Sequence, residues 1–271
     1  MKNTIVLIHG MFQNPKSWEN WVPVLEAQGY DVLTPAWPLH EGDPATLRSN
    51  PPNGLGKLEL DTIITSLETF IYGLPDKPIV IGHSVGGLIA QLLVARDIAK
   101  IGVAICSVAP NAMVTFDWSF FKNAATIANP LKGDDPVYMD IETFKGAFAN
   151  TLSESEVIAA FEKTATHDSR NVFRDCMSSS AKIDTDLPHA PLLFISASED
   201  KICPAELNQK NYEAYTDKTS STAIREFPSR SHYICNEPGW EEVVDVIVNW
   251  LATQTNNSTT DDNTFQNKME Q

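Results

Sequence analysis

Positive charge is what this sequence has least of. Lys and Arg together number 20 against 35 Asp and Glu in 271 residues, giving a formal net charge of -15 and a pI near 4.7. That balance argues against a nucleic-acid phosphate backbone or an anionic membrane surface as partner, and an acidic surface otherwise serves solubility. Cysteine is sparse as well. Cys106, Cys176, Cys203 and Cys235 are widely spaced and form no C-x-x-C pair, so neither a disulfide framework nor a zinc site is implied. The histidines form no H-E-x-x-H pattern, and no metal or other cofactor is called for. No apolar run approaches the roughly 20 residues that cross a bilayer. Met1-Lys2-Asn3 leads into only five consecutive apolar or β-branched residues before His9-Gly10, too few for a signal peptide. The expectation is a cytoplasmic protein acting on a small molecule, and no internal repeat is visible.

What is present is a core-forming composition, 42% hydrophobic, of a length suited to one large α/β domain. Its organising stretch is Pro78-Ile79-Val80-Ile81-Gly82-His83-Ser84-Val85-Gly86-Gly87. A short apolar run reads as a buried strand, and residues 85–95 read as a buried helix. Between them Gly82-His83-Ser84-Val85-Gly86 fits the G-x-S-x-G nucleophile elbow. A strand that turns at once into a helix forces its central residue into a strained conformation, and side chains two residues to either side would collide. Ser84 would then project its hydroxyl from the top of a sheet. Val85, at the helix N-terminus, would aim its N–H at a developing oxyanion.

Along the chain, Thr4 to Ile8 is a first strand that begins almost at the N-terminus. A helix follows over 15–29, with Asn14 as N-cap and Pro15 at the first position. A second strand covers 30–35, and residues 41–56, rich in Pro and Gly, read as a long irregular loop. A helix over 57–72 precedes the elbow, and a fourth strand follows over 101–108. Nearly continuous apolar strands separated by helices signal a parallel sheet covered on both faces. From 109 to 189 the alternation stops, and short helices are expected over 118–127, over 141–150 and from a Ser153 cap with Glu156 at capping-box spacing. Strands over 192–196 and 222–227 alternate with helices over 204–215 and 239–251. Beyond 254 the chain is Asn, Ser, Thr and Asp rich, and is expected to be a disordered polar tail.

A serine hydroxyl needs a base to take its proton and a third group to orient that base. Asp200 follows one predicted strand and His232 follows the last, and loops after such strands line the crevice of an open α/β sheet. The order Ser84, Asp200, His232, with His9-Gly10 after the first strand, resembles the α/β-hydrolase fold family over nearly the whole chain up to the tail. That resemblance implies Ser84 as nucleophile, His232 as general base and then acid, and Asp200 as the partner that holds the imidazole. It implies an oxyanion hole from the N–H groups of Met11 and Val85, with Phe12 as the alternative to Met11. Glu199 is the adjacent rival of Asp200, whose alternative reading is a cap on the following helix.

The two strands that commonly precede the His-Gly strand have no chain here, so a sheet of about six parallel strands is expected. Residues 1–108 and 190–253 would form the core, and 109–189 a helical cap. The implied activity is hydrolysis of an ester, thioester or lactone of a small apolar acid. The same triad also serves acyl transfer, carbon–carbon cleavage, cyanohydrin cleavage or cofactor-free peroxidation, and the same pocket a receptor with little turnover. His9 and His83 are expected to make structural hydrogen bonds, and His40, His167 and His189 to lie on the surface. Among Trp37, Trp118, Phe120, Phe121, Phe144 and Phe148, core packing accounts for most, with about two expected in an acyl pocket. Cys203 and Cys235 each follow a triad member by three residues, which raises the possibility of a thiol near the site against the simpler reading of inert packing.

Overall fold

The computed structural model describes residues 2–111 and 129–269. Six strands, β1 (Thr4–Ile8), β2 (Asp31–Leu33), β3 (Ile79–His83), β4 (Ile101–Ile105), β5 (Leu192–Ala197) and β6 (Thr222–Phe227), form one sheet in the order β2-β1-β3-β4-β5-β6. Every pairing is parallel, as the expected architecture requires.

Strand alternation sends neighbouring side chains to opposite faces. Ile5, Leu7, Ile79, Ile81, Ile101, Val103, Leu193 and Ile195 pack on one face against α1 (Trp21–Ala27) and the C-terminal helix. Val6, Ile8 and Val80 pack on the other, against α3 (Leu60–Tyr72) and α4 (Val85–Ala95). The α3 stripe Leu60, Ile63, Ile64, Leu67 and Ile71 is buried, and each such side chain contributes roughly 1.5–3 kcal/mol of burial free energy.

Several elements differ from the sequence expectation. The helix after Asn14 is split into a 3-10 turn, Pro15–Trp18, and α1, although Asn14 does cap it by accepting the Lys16 N–H at 3.0 Å. The stretch 41–56 is not uniformly irregular. It contains α2 (Pro44–Ser49), which starts with Asp43 accepting the Thr46 N–H and Pro44 at the first position. Those are strong start signals.

Between β4 and β5 lie a helical turn Ile141–Thr143 continued by a π-turn Phe144–Phe148, then α5 (Glu154–Thr164) and α6 (Arg170–Asp175). Ser153 and Glu156 form the expected capping box. The helix expected over 118–127, with Trp118, Phe120 and Phe121, lies outside the described residues. α7 (Ala205–Glu213) precedes β6. The last helix, α8 (Trp240–Met269), runs on past the end expected near Leu251 and through the segment expected to be a disordered tail. Val243, Val244, Ile247 and Leu251 face the core, and no Pro or Gly follows to interrupt the backbone ladder. Among the described residues no helix is long and apolar enough to cross a membrane.

Candidate active site

The elbow is built as its glycines require. Ser84 sits between β3 and α4 at φ 59°, ψ -120°, a left-handed conformation that costs a side-chain-bearing residue about 1–3 kcal/mol. A Cβ on Gly82 would lie 1.9 Å from the Gly86 carbonyl oxygen, and one on Gly86 would lie 2.3 Å from that of Ile8. Gly10 is equally obligatory, since its Cβ would sit 2.7 Å from Ser84 Cβ.

Asp200 and His232 meet in loops at the carboxyl edge of β5 and β6. His232 Nδ1 donates to Asp200 Oδ2 at 2.7 Å, and both side chains are fully buried. Asp200 Oδ1 accepts the Ile202 and Cys203 N–H groups at 2.7 and 2.8 Å, which fixes the carboxylate. The rival Glu199 is exposed. His232 Nε2 is buried without a hydrogen-bond partner among the described residues, Ser84 Oγ included.

Further contacts hold the His232 loop. His83 Nε2–H donates to the His232 carbonyl at 2.8 Å, and burial followed by the charge of His232 holds the His83 imidazole well below its ordinary pKa. Glu237 accepts the Ser231 N–H and hydroxyl at 3.0 Å each, as well as the Thr151 hydroxyl. The Tyr233 N–H donates to the Phe148 carbonyl at 2.9 Å. Phe148 also stands edge-on to the His232 ring, 5.0 Å between centroids, and stacks on Phe144. Phe148 is thus placed beside the site, whereas Trp37 is buried against His9 in the core.

The turn after β1 carries the other expected donors. His9 Nδ1–H donates to the Gly10 carbonyl at 2.9 Å, and its Nε2 accepts the Trp37 N–H at 3.2 Å. Burial, then the neighbouring His40, pushes the His9 pKa down to about 3, so the ring is neutral. The Phe12 N–H is already taken by Asp168 Oδ2 at 2.9 Å. Of the two alternatives only Met11 therefore has a free N–H, and neither the Met11 nor the Val85 N–H is occupied among the described residues.

Three histidine expectations need correcting or refining. His40 is not a surface residue but 1% exposed, because Nε2 lies 3.3 Å from the buried Asp168 carboxylate. His167 and His189 are half-buried. Sequence reasoning passed over Asp168, whose partner Phe12 is distant in the chain, and Glu237, which links Ser231 to the distant Thr151.

Cys106 Sγ, a carboxylate oxygen of Asp200 and a ring nitrogen of His232 lie within 4.8 Å of one another. This is a donor set a metal could use, but burial first and Asp200 next push the Cys106 thiol pKa well up, so it stays protonated. Asp200 spends its oxygens on His232 and two N–H groups. Those observations fit a hydrogen-bonded pair rather than a metal centre.

Comparison with known proteins followed the same lines. The sequence profile of the Alpha/beta hydrolase family matches residues 5–246. The pimeloyl-acyl-carrier protein methyl ester esterase of Aromatoleum aromaticum is 32% identical over 129 residues, 45% of this chain and 46% of that protein. The match thus spans about half the length of that relative. The Paleococcus ferrophilus monoacylglycerol lipase superposes with a TM-score of 0.66 at 20% identity, over 93% of this chain and 94% of that one. Polyneuridine aldehyde esterase does so with a TM-score of 0.66 at 16% identity, over 92% and 99%. At those identities the two structures share the fold.

Proposed function

The chain belongs to the alpha/beta hydrolase family, and on that premise we propose that it is a serine hydrolase cleaving a carboxylic ester, thioester or lactone of a small apolar acid. The methyl ester chemistry in the name of the curated relative makes methyl esters the first substrates to try.

In this reading Ser84 Oγ attacks the ester carbonyl and His232 Nε2 takes its proton. Asp200 keeps Nδ1 protonated and steadies the imidazolium that forms. The N–H groups of Met11 and Val85 receive the oxyanion, with the dipole of α4 behind Val85. His232 returns the proton to the leaving alkoxide, and then activates water against the acyl-enzyme. Nucleophile, base and oxyanion donors all come from the chain, so the scheme needs no cofactor. Residues 109–189 act as the cap, with Phe148 against the acyl group.

The observation that carries the proposal is the buried Asp200–His232 pair, whose outward nitrogen has no partner among the described residues, at the same sheet edge as a serine held in a strained turn. Catalytic hydrogen bonds are often long in a free enzyme and tighten once substrate is bound. The test is steady-state turnover of methyl and aryl esters of increasing acyl length. A short-chain optimum with multiple turnovers supports the reading, and saturable binding without turnover contradicts it.

A further inference from the structure

The turn that carries Met11 is held at both of its peptide planes, and one of the two holders comes from the segment between β4 and β5. A trans peptide points its C=O and N–H in opposite directions. Because His9 Nδ1–H takes the Gly10 carbonyl at 2.9 Å, the Met11 N–H of the same plane is aimed the other way. The next plane is fixed by Asp168 Oδ2 on the Phe12 N–H at 2.9 Å. The plane after that is held by the Thr166 N–H on the Phe12 carbonyl, also at 2.9 Å. Phe12 stands at φ 61°, a left-handed conformation that an aromatic residue keeps only when its surroundings impose it.

Asp168 is itself anchored. Oδ1 accepts the Ser169 N–H at 2.7 Å, and its backbone pairs with Val137 in both directions, at 2.7 and 3.1 Å. Phe12 and Ser169 N–H groups thus donate one to each of its oxygens. Its counter-ion is His40. Both ring nitrogens of His40 face oxygens, Nδ1 the Pro38 carbonyl at 3.1 Å and Nε2 Asp168 at 3.3 Å. The Nε2 approach is an ion-pair distance without a hydrogen bond among the described residues, and a carboxylate at that distance favours the protonated ring. The other titratable groups near His40 are Glu41 and the neutral His9. Burial opposes the charge on His40, but Asp168, the Pro38 carbonyl and Glu41 outweigh it, and the net direction is upward.

We propose that Asp168, anchored by Ser169 and paired with His40, is a positioning residue. By clamping the Phe12 N–H it fixes the peptide plane next to the one whose Met11 N–H receives the oxyanion, and so couples the segment between β4 and β5 to the oxyanion site. This deepens the serine hydrolase reading and rests on it.

The experiment compares wild type with Asp168→Ala, Asp168→Asn and His40→Gln. Active sites are first titrated to completion with a fluorophosphonate, and kcat and KM for p-nitrophenyl acetate are expressed per titrated site. The expected result for Asp168→Ala is a kcat lower by about 10- to 100-fold with KM within about threefold, since an oxyanion donor acts mainly in the transition state. Asp168→Asn, which keeps one oxygen for the Phe12 N–H, recovers part of that loss. His40→Gln lowers kcat in the same direction and removes an alkaline decline in kcat seen in wild type.

A role confined to stability would lower the melting temperature and the titratable fraction while leaving kcat per site within about twofold, and that result overturns the proposal. If neither Asp168 variant folds, the wild type decides. Histidine-selective nitrogen NMR must show His40, assigned by its loss in His40→Gln, titrating above an ordinary imidazole, and a ring that titrates below it contradicts the proposal. Failure of the hydrolase reading looks different, because wild type itself would then turn over no ester.

Discussion

Asp200 Oδ2 and His232 Nδ1 are 2.7 Å apart with no solvent access to either side chain. Because Asp200 Oδ1 is committed to the Ile202 and Cys203 N–H groups, the carboxylate has one orientation and the imidazole one tautomer. Replacing Asp200 by Asn sets an amide against Nδ1 and favours the wrong tautomer. Asp200→Asn should therefore lower kcat by about 10³- to 10⁴-fold with the fold retained. Glu199→Gln, at an exposed position, should leave kcat within about twofold, and steady-state kinetics on both variants checks the assignment.

Close backbone approach makes a second prediction. Gly86→Ala places a Cβ 2.3 Å from the Ile8 carbonyl oxygen, and Gly10→Ala places one 2.8 Å from that of His83. Backbone atoms do not yield as side chains do, so each should cost more than the roughly 1–3 kcal/mol of ordinary overpacking. Chemical denaturation reads the loss, and a change under about 0.5 kcal/mol in either variant would contradict the elbow geometry.

Stability should fall on both sides of neutrality. The unfolded chain protonates His9 near pH 6.5, whereas in the folded protein burial, and then His40, lower its pKa to about 3. Stability present above pH 6.5 is thus lost as the pH falls toward about 3, by an amount on the order of 5 kcal/mol for this one group. His83, lowered by burial and by His232, acts in the same direction. His40 has the opposite sign. Its folded pKa is raised, so its contribution is complete below about 6.5 and disappears as the pH rises through the folded value. Melting temperatures from about pH 4 to about pH 10 should trace a dome. His9→Gln should flatten its acid side and His40→Gln its alkaline side.

All four cysteines are buried and unpaired, and burial is the leading cause that raises each thiol pKa. Cys203 approaches the site through its backbone N–H on Asp200. Iodoacetamide should therefore leave ester turnover unchanged on the native protein and label it only after denaturation, as peptide mass spectrometry would show.

What could be read in the sequence was whatever is encoded locally. The Ser84 elbow, the Asp200 and His232 loops, the strand Thr222–Phe227 and the Ser153–Glu156 capping box all depend on neighbours within a few residues. The helix Pro44–Ser49 also carried a local signal, Asp43 followed by Pro44, but the surrounding prolines and glycines read more strongly as loop. His40 and Asp168 carried none. Their partnership joins residues far apart in the chain, and a lone histidine beside Pro and Gly looks like a surface residue. That the Phe12 N–H is taken likewise depended on the distant Asp168.

The most direct test of the account is the turnover of a short-chain p-nitrophenyl ester by wild type and by Ser84→Ala, with the intact mass of each protein measured after fluorophosphonate treatment. The account predicts multiple turnovers and a single adduct on Ser84 for wild type. For the variant it predicts no adduct and a kcat lower by about 10⁴- to 10⁶-fold, as expected when serine, histidine and aspartate act as a unit. A variant that retains wild-type turnover, or an adduct on a residue other than Ser84, would contradict it.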